Sequence, residues 1–226
     1  MKHLIKPLLT ALLLLCCTVA GAADFEVDGI YYNILSFEDK TVEVTSGSNN
    51  YSAIPASVTY NSITYSVTSV GEWAFAYCDG LTSIEIPSSV TSIGDYAFHG
   101  CGLTSIEIPS SVTSIGERVF ESCGSLTSIV VDEGNSVYDS RNNCNAIIET
   151  ASNTLIAGCK NTVIPEGVTS IGNSAFGVCS GLTSIEIPSS VTSVGQSAFE
   201  YCTSLTSIEI PSSVTSIGQS AFEYCI

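Results

Sequence analysis

Apolar and polar positions alternate in short runs along most of the chain, and the alternation recurs at a fixed interval. In one copy, Ile84 and Ile86 flank Glu85, which predicts a strand with the isoleucines inward and Glu85 outward. Pro87 ends this strand because it has no N–H to donate to a ladder. Residues 90–93 predict a second short strand. The segment L-T-S-I-E-I-P-S-S-V-T-S-I-G recurs, with at most one change, from Leu81, Leu103, Leu182 and Leu205.

One phenylalanine marks each repeat, preceded by Ala or, once, by Val. These residues are Phe75, Phe98, Phe120, Phe176, Phe199 and Phe222. Their spacings are 23, 22, 56, 23 and 23 residues, so the long interval is one unit plus a 33-residue insertion. Each unit is too small to bury its own apolar face, so neighbouring units are expected to stack into a solenoid. Ala97, Phe98 and Cys101 have helix-like spacing, which predicts one short helical turn over 95–101.

Residues 23–70 do not follow the repeat and are predicted to form an N-terminal β-hairpin cap over the open end of the core. Asp28-Gly29, between alternating apolar residues, predicts one hairpin, and Asn61-Ser62 predicts another. The solenoid is predicted over 71–226. The insertion, at about 130–161, contains two short apolar runs that predict a further hairpin.

The repeated motif L-T-S-I-E-I-P-S-S-V-T-S-I-G-x-x-A-F-x-x-C resembles the BspA-like leucine-rich-repeat family of bacterial secreted and surface proteins. The resemblance covers about residues 24–226. It implies a right-handed superhelix of about 23-residue units with short strands and short helical turns. It also implies an adhesin-like role in protein recognition, with host matrix proteins such as fibronectin and fibrinogen among the ligands of some members.

The N-terminus has the features of a secretory signal peptide over residues 1–22. Lys2, His3 and Lys6 form a basic start, and an apolar run follows over 8–19. Small residues at 20–22 fit a signal-peptidase site. We therefore expect a protein that is secreted or held at the cell surface, with no membrane insertion after cleavage.

Composition narrows the range of partners. Only 12% of the residues are charged, and the formal net charge is −16. A chain with six Lys and Arg residues has too few cations to neutralise nucleic acid or to dock on anionic lipid. The apolar fraction of 45% excludes a disordered chain.

Cysteines recur at one repeat position and are predicted to stack inward as free thiols. This ladder comprises Cys78, Cys101, Cys123, Cys179, Cys202 and Cys225. Cys144 and Cys159 lie across the insertion hairpin from each other and are the candidates for a disulfide. No C-x-x-C pair is present, so neither a zinc site nor a thioredoxin-type site is indicated. The loop from Asp132 does not meet the EF-hand pattern, and no metal or other cofactor is expected.

Catalysis has little support in the sequence. Apart from the predicted signal peptide, the only histidine is His99, in a repeat position that also holds Ala, Glu and Gly and is therefore expected to face solvent. No G-x-S-x-G or phosphate-binding motif is present. We therefore predict a protein that is not an enzyme, with a carbohydrate-active enzyme as a distant alternative.

Surface recognition remains, and the outward positions of the first strand are the candidate site. These partner-binding residues are Ser83, Glu85, Ser105, Glu107, Ser184, Glu186, Ser207 and Glu209. Their acidic, hydroxyl-rich stripe is expected to attract a basic patch on a host or bacterial surface protein. Duplication of the repeat alone also produces such a stripe, so a structural spacer or a truncated family copy without a ligand is the alternative. The last repeat stops at Cys225 without a capping unit, which predicts end-to-end self-association.

Overall fold

A computed structural model describes residues 23–225. The predicted signal peptide therefore lies outside the described residues. The described part is a β-solenoid of about eight turns with about 23 residues per turn. Its strands are β1 (Phe25–Val27), β2 (Ile30–Ser36), β3 (Thr41–Ser46), β4 (Ser57–Tyr60), β5 (Ile63–Val70), β6 (Ser92–Ile93), β7 (Ser105–Ile108), β8 (Ser114–Ile115), β9 (Ser128–Val131), β10 (Tyr138–Asp139), β11 (Ala146–Glu149), β12 (Thr154–Gly158), β13 (Ser170–Ile171), β14 (Ser193–Val194) and β15 (Ser216–Ile217).

Both predicted N-terminal hairpins are confirmed. β1 pairs antiparallel with β2 across Asp28 and Gly29, and β4 pairs antiparallel with β5 across Asn61 and Ser62. All four turn residues have positive φ, from 49° to 82°, as a two-residue hairpin turn of this twist requires. The Phe25 ring stacks on another ring, that of Tyr60, at 4.3 Å between centroids, so the two hairpins pack on each other.

The N-terminal strands and the first repeats share one sheet. β3 pairs in parallel with β5, β5 with β6, and β6 with β8. Register follows the repeat, since Ser69 lies opposite Ser92 and Ser92 opposite Ser114. The non-repeating N-terminal segment therefore provides the first parallel strands on which the repeats stack.

The segment that carries the repeated phenylalanine is not helical, which corrects the prediction of a short helical turn over 95–101. The N–H groups of Tyr96, Phe98 and Gly100 donate to carbonyls of the next coil, at 2.8 to 3.1 Å. Tyr96 and Gly100 have φ of 54° and 65°, which turns alternate peptides outward along the solenoid axis. Hydrogen bonds between coils thus alternate with local turn bonds, such as that from His99 N–H to Tyr96 O at 2.9 Å. Among the described residues the one helical segment is a 3₁₀ turn at Arg141–Asn143.

Phenylalanines fill the core in two separate stacks. Phe75, Phe98 and Phe120 form the first, with centroids 5.5 and 5.8 Å apart. The second comprises Phe176, Phe199 and Phe222, with centroids 4.9 and 5.3 Å apart. Aromatic rings at these distances stabilise one another beyond the area that they bury.

The insertion forms a partition between two apolar cores. β11 and β12 pair antiparallel, which confirms the predicted hairpin. Ile147 and Ile148 are both fully buried, yet Ile147 packs in the N-terminal core and Ile148 in the C-terminal one. Because successive strand residues point to opposite faces, a strand that is apolar on both faces seals each half of the solenoid from the other.

The cysteine ladder points inward as predicted. All its members are free thiols, and all but Cys225 are buried. Cys101, Cys123 and Cys202 each donate from Sγ to the carbonyl of a phenylalanine in the preceding coil, at 2.9 to 3.2 Å. Burial raises the pKa of Cys123 and Cys202 to about 12.

No disulfide joins Cys144 and Cys159 in this structure, where both are free, buried thiols. Each sulfur is oriented towards a backbone carbonyl instead. Cys144 Sγ donates to Ala146 O at 3.8 Å, and Cys159 Sγ donates to Asn145 O at 3.4 Å.

Candidate protein-binding face

The first segments of the repeats together form the surface that we call the strand face. In the copy at 83–86, Ile84 and Ile86 are buried whereas Ser83 and Glu85 are exposed, so the period-two alternation expected from sequence is present. All eight predicted partner-binding residues are exposed and lie on this face.

Backbone pairing on the strand face is incomplete. β7 and β9 pair in parallel, and Glu85 exchanges backbone hydrogen bonds with Ser52 and Ile54 of the preceding coil. Within residues 23–225, however, no backbone hydrogen bond joins 83–86 to 105–108 or 162–165 to 184–187. Open grooves lie between the coils at these two places, and among the described residues backbone pairing is also absent between 184–187 and 207–210.

The N-terminal groove has a volume of about 480 Å³ and brings together half of the predicted residues: Ser83, Glu85, Ser105 and Glu107. Asp132 also lines it, and this residue was not predicted from sequence because it belongs to the insertion. The groove therefore carries three carboxylates and no cationic side chain.

The C-terminal groove has a volume of about 590 Å³ and is lined by Ser184 and Glu186, together with Lys160 and Glu166. Ser207 and Glu209 are exposed on the next coil but do not line this groove. The predicted stripe is thus divided into two groups, one on each side of the insertion.

Apolar side chains occupy the middle of the strand face. Val130 and Val163 take the position that Glu85 has in its own coil, and they are 46% and 70% exposed. Neither valine was among the partner-binding residues predicted from sequence, although the place of Val163 directly before Ile164-Pro165 matches that of Glu85 before Ile86-Pro87.

Charge on the strand face is unpaired. Among the ion pairs of the described residues, none includes Glu85, Glu107, Glu186 or Glu209. Glu85 and Glu107 line one groove that has no cationic side chain in its lining. A basic group that lies between them would neutralise both carboxylates, so the face is chemically suited to basic groups.

His99 does not face solvent as the sequence predicted, and this expectation was wrong. Its side chain is only 13% exposed, and its Nδ1 lies 3.4 Å from Oε2 of Glu121 in the next coil. The rings of Trp73, Tyr77 and Tyr96 surround it edge-on at 5.1 to 5.8 Å. This repeat position accepts different residue types because side chains of the neighbouring coils cover it, and those covering side chains differ between repeats.

Neither a metal-binding cluster nor a membrane-spanning helix is present within residues 23–225. No group of three or more His, Cys, Asp or Glu side chains is arranged to hold a metal ion. No helix in this part of the chain is both long and apolar enough to cross a bilayer.

The sequence profile of the BspA type leucine rich repeat region, with six copies, matches residues 47–156 and 155–226. The chain belongs to the BspA-type leucine-rich repeat family. The match begins within the N-terminal segment, in agreement with the parallel pairing of β3 and β5.

Solved structures of other leucine-rich repeat proteins share this fold. A leucine rich cell surface protein from Faecalibacterium prausnitzii is 23% identical, with a TM-score of 0.55 over 89% of this chain and 80% of its own. The leucine rich repeat protein of T. pallidum is 26% identical, with a TM-score of 0.53 over 89% and 88%. A leucine-rich repeat protein from Eubacterium ventriosum is 24% identical, with a TM-score of 0.51 over 85% and 66%. Comparison with curated proteins finds no match.

Proposed function

We propose that this protein is a secreted or surface-displayed, non-catalytic solenoid that binds another protein through its strand face. The observation that carries the proposal is the set of eight exposed serine and glutamate residues, whose carboxylates have no cationic partner within residues 23–225. The partner is a surface or matrix protein with a basic patch.

The physical basis is electrostatic and geometric complementarity. The two grooves carry carboxylates, and apolar side chains lie next to them: Val163 lines the C-terminal groove, and Val130 pairs with Glu107 beside the N-terminal one. This surface fits a partner that combines basic groups with an apolar patch. Complementary charge speeds encounter and selects the partner, while desolvated apolar contacts slow dissociation. The stacked coils hold these side chains at fixed spacing, which limits the entropy lost on binding.

Export is part of the proposal. Residues 1–22 have the basic, apolar and small-residue regions of a signal peptide. The similar protein from F. prausnitzii is described as a cell surface protein. A partner is therefore to be sought outside the cell.

The test is affinity capture with the protein lacking residues 1–22, from extracts of bacterial surface and host matrix proteins, followed by mass spectrometry. The decisive variant is Glu85→Gln, Glu107→Gln, Glu186→Gln and Glu209→Gln together. It removes four charges from the strand face and should weaken capture of the enriched partner severalfold.

The matched control removes four charges elsewhere, by Asp28→Asn, Glu38→Gln, Glu200→Gln and Glu223→Gln. We expect it to retain capture. If no protein is enriched, the spacer alternative is favoured. If both variants bind equally well, the strand face is not the binding site.

A further inference from the structure

A second surface lies on the turns that carry the repeated phenylalanines in the N-terminal half, and its chemistry differs from that of the strand face. Trp73 and Tyr96 stack on each other with their centroids 4.1 Å apart and an angle of 6° between the rings. Tyr77 lies beside Trp73 at 6.3 Å and is 61% exposed. We call Trp73, Tyr77, Tyr96 and His99 the aromatic edge.

Carboxylates surround the aromatic edge. Glu72, Asp79, Asp95 and Glu117 are all exposed and flank its rings along the chain. The nearby cation, Arg118, has its guanidinium 5.9 Å from the Tyr96 centroid, and its Nη1 lies 3.0 Å from Oε1 of Glu121. One guanidinium is thus already held here between an aromatic ring and a carboxylate.

The fold itself does not require this chemistry, because other repeats build the same turns without it. The backbone position of Trp73 and Tyr96, with φ of 59° and 54°, is held by serine in the C-terminal half. These serines are Ser174, Ser197 and Ser220, with φ of 50°, 53° and 56°. The position of Glu72 and Glu117 is likewise held by glutamine in the two C-terminal coils.

We propose that the aromatic edge binds a positively charged, arginine-bearing segment of a protein. A guanidinium stacks on aromatic faces and pairs with carboxylates, and this surface offers both within one turn of the solenoid. Charge complementarity therefore selects the occupant. Tyr77, which is 61% exposed, is the ring of this surface most open to such a contact.

Trp73 is the single tryptophan of the protein, so its fluorescence reports directly on this surface. The experiment titrates the protein with an acetylated hexa-arginine peptide at about 150 mM salt and follows Trp73 emission. Hexa-lysine, hexa-glutamate and cellohexaose serve as comparison probes. We expect saturable binding of hexa-arginine, weaker binding of hexa-lysine and no response to the other two.

The decisive variant combines Tyr77→Val, Glu72→Gln and Glu117→Gln. Each new residue already stands at the same backbone position in another repeat, as Val178, Gln196 and Gln219 show, so the variant is expected to fold. One exposed cation–π contact and two exposed ion pairs together correspond to a loss of affinity of about tenfold.

The control variant, Tyr201→Val with Glu200→Gln and Glu223→Gln, removes the same groups from the C-terminal half and should change hexa-arginine affinity less than about twofold. If the first variant does not fold, the charge-only pair Glu72→Gln and Glu117→Gln takes its place. Equal losses in both halves, equal affinity for hexa-lysine, or a response to cellohexaose alone would each overturn the proposal. None of these outcomes depends on whether the strand face binds its own partner.

Discussion

Stacked phenylalanines are expected to provide a large share of the stability of the C-terminal half, and Phe199→Ala tests this. The Phe199 side chain is fully buried and lies between two other rings, those of Phe176 at 4.9 Å and Phe222 at 5.3 Å. Removing a buried phenylalanine costs about 3–5 kcal/mol, since both the transferred area and a residual cavity contribute. Each stacked ring pair contributes about 0.5–1.5 kcal/mol beyond the area that it buries. Because Phe199→Ala removes two such pairs, its cost should lie near the upper end of that range.

The comparison variant is Phe222→Ala in the last described coil. Phe222 is only partly buried and has a single ring neighbour, Phe199, so its loss should cost about half as much. Urea unfolding followed by circular dichroism measures both variants against the parent protein. An equal or larger loss for Phe222→Ala would refute the idea that stability rises with the number of stacked neighbours.

Three further predictions concern the first ring of the C-terminal phenylalanine stack, the second N-terminal hairpin turn and two of the buried cysteine thiols. Gly158→Ala places a methyl group against the Phe176 ring and should destabilise the protein by about 1–3 kcal/mol in urea unfolding, whereas no change would contradict the packing. Ser62→Gly relieves a left-handed residue with φ of 64° in a hairpin turn and should raise the melting temperature; a lower value would argue against that turn. Burial raises the pKa of the Cys123 and Cys202 thiols to about 12, from about 8.5 when unfolded. The contribution of these thiols to stability should therefore be constant below about pH 8.5 and fall as the pH rises from there towards 12. A variant with both thiols changed to alanine should lose part of this pH dependence, and an unchanged slope in reduced protein would contradict the assignment.

Much of the fold could be predicted from sequence because the alternation within each repeat and the spacing between repeats indicate how the chain folds. Ile84 and Ile86 on either side of Glu85 define which face is buried, and a near-identical copy every 23 residues requires stacking. The hairpin turns were predictable for a local reason, since Asp28-Gly29 and Asn61-Ser62 are among the few pairs that tolerate positive φ.

The errors arose where the neighbouring coil decides the structure. Ala97, Phe98 and Cys101 have the spacing of a helix, but Phe98 N–H donates to Val119 O in the next coil. His99 was misjudged for the same reason, because the side chains that cover it belong to adjacent coils. The partition formed by β11 and β12 was unforeseen, since a strand buried on both faces has no alternation that marks either side.

The candidate site was only partly predictable. The alternation of apolar and polar residues identified the outward serines and glutamates. It did not identify the grooves, which lie where backbone hydrogen bonds between coils are absent. Asp132 and Lys160 enter those grooves from the insertion, outside the repeat pattern. The aromatic edge was not recognised from sequence, because its rings come from positions that vary between repeats.

Recognition through the strand face is the central claim, and hydrogen exchange of the protein in complex with its captured partner tests it most directly. We predict slower exchange on binding at 83–86, 105–108, 184–187 and 207–210, with the N-terminal hairpins at 25–36 and 57–70 unchanged. Protection confined to those hairpins or to the aromatic edge, with exchange of the strand face unaltered, would contradict recognition through the strand face.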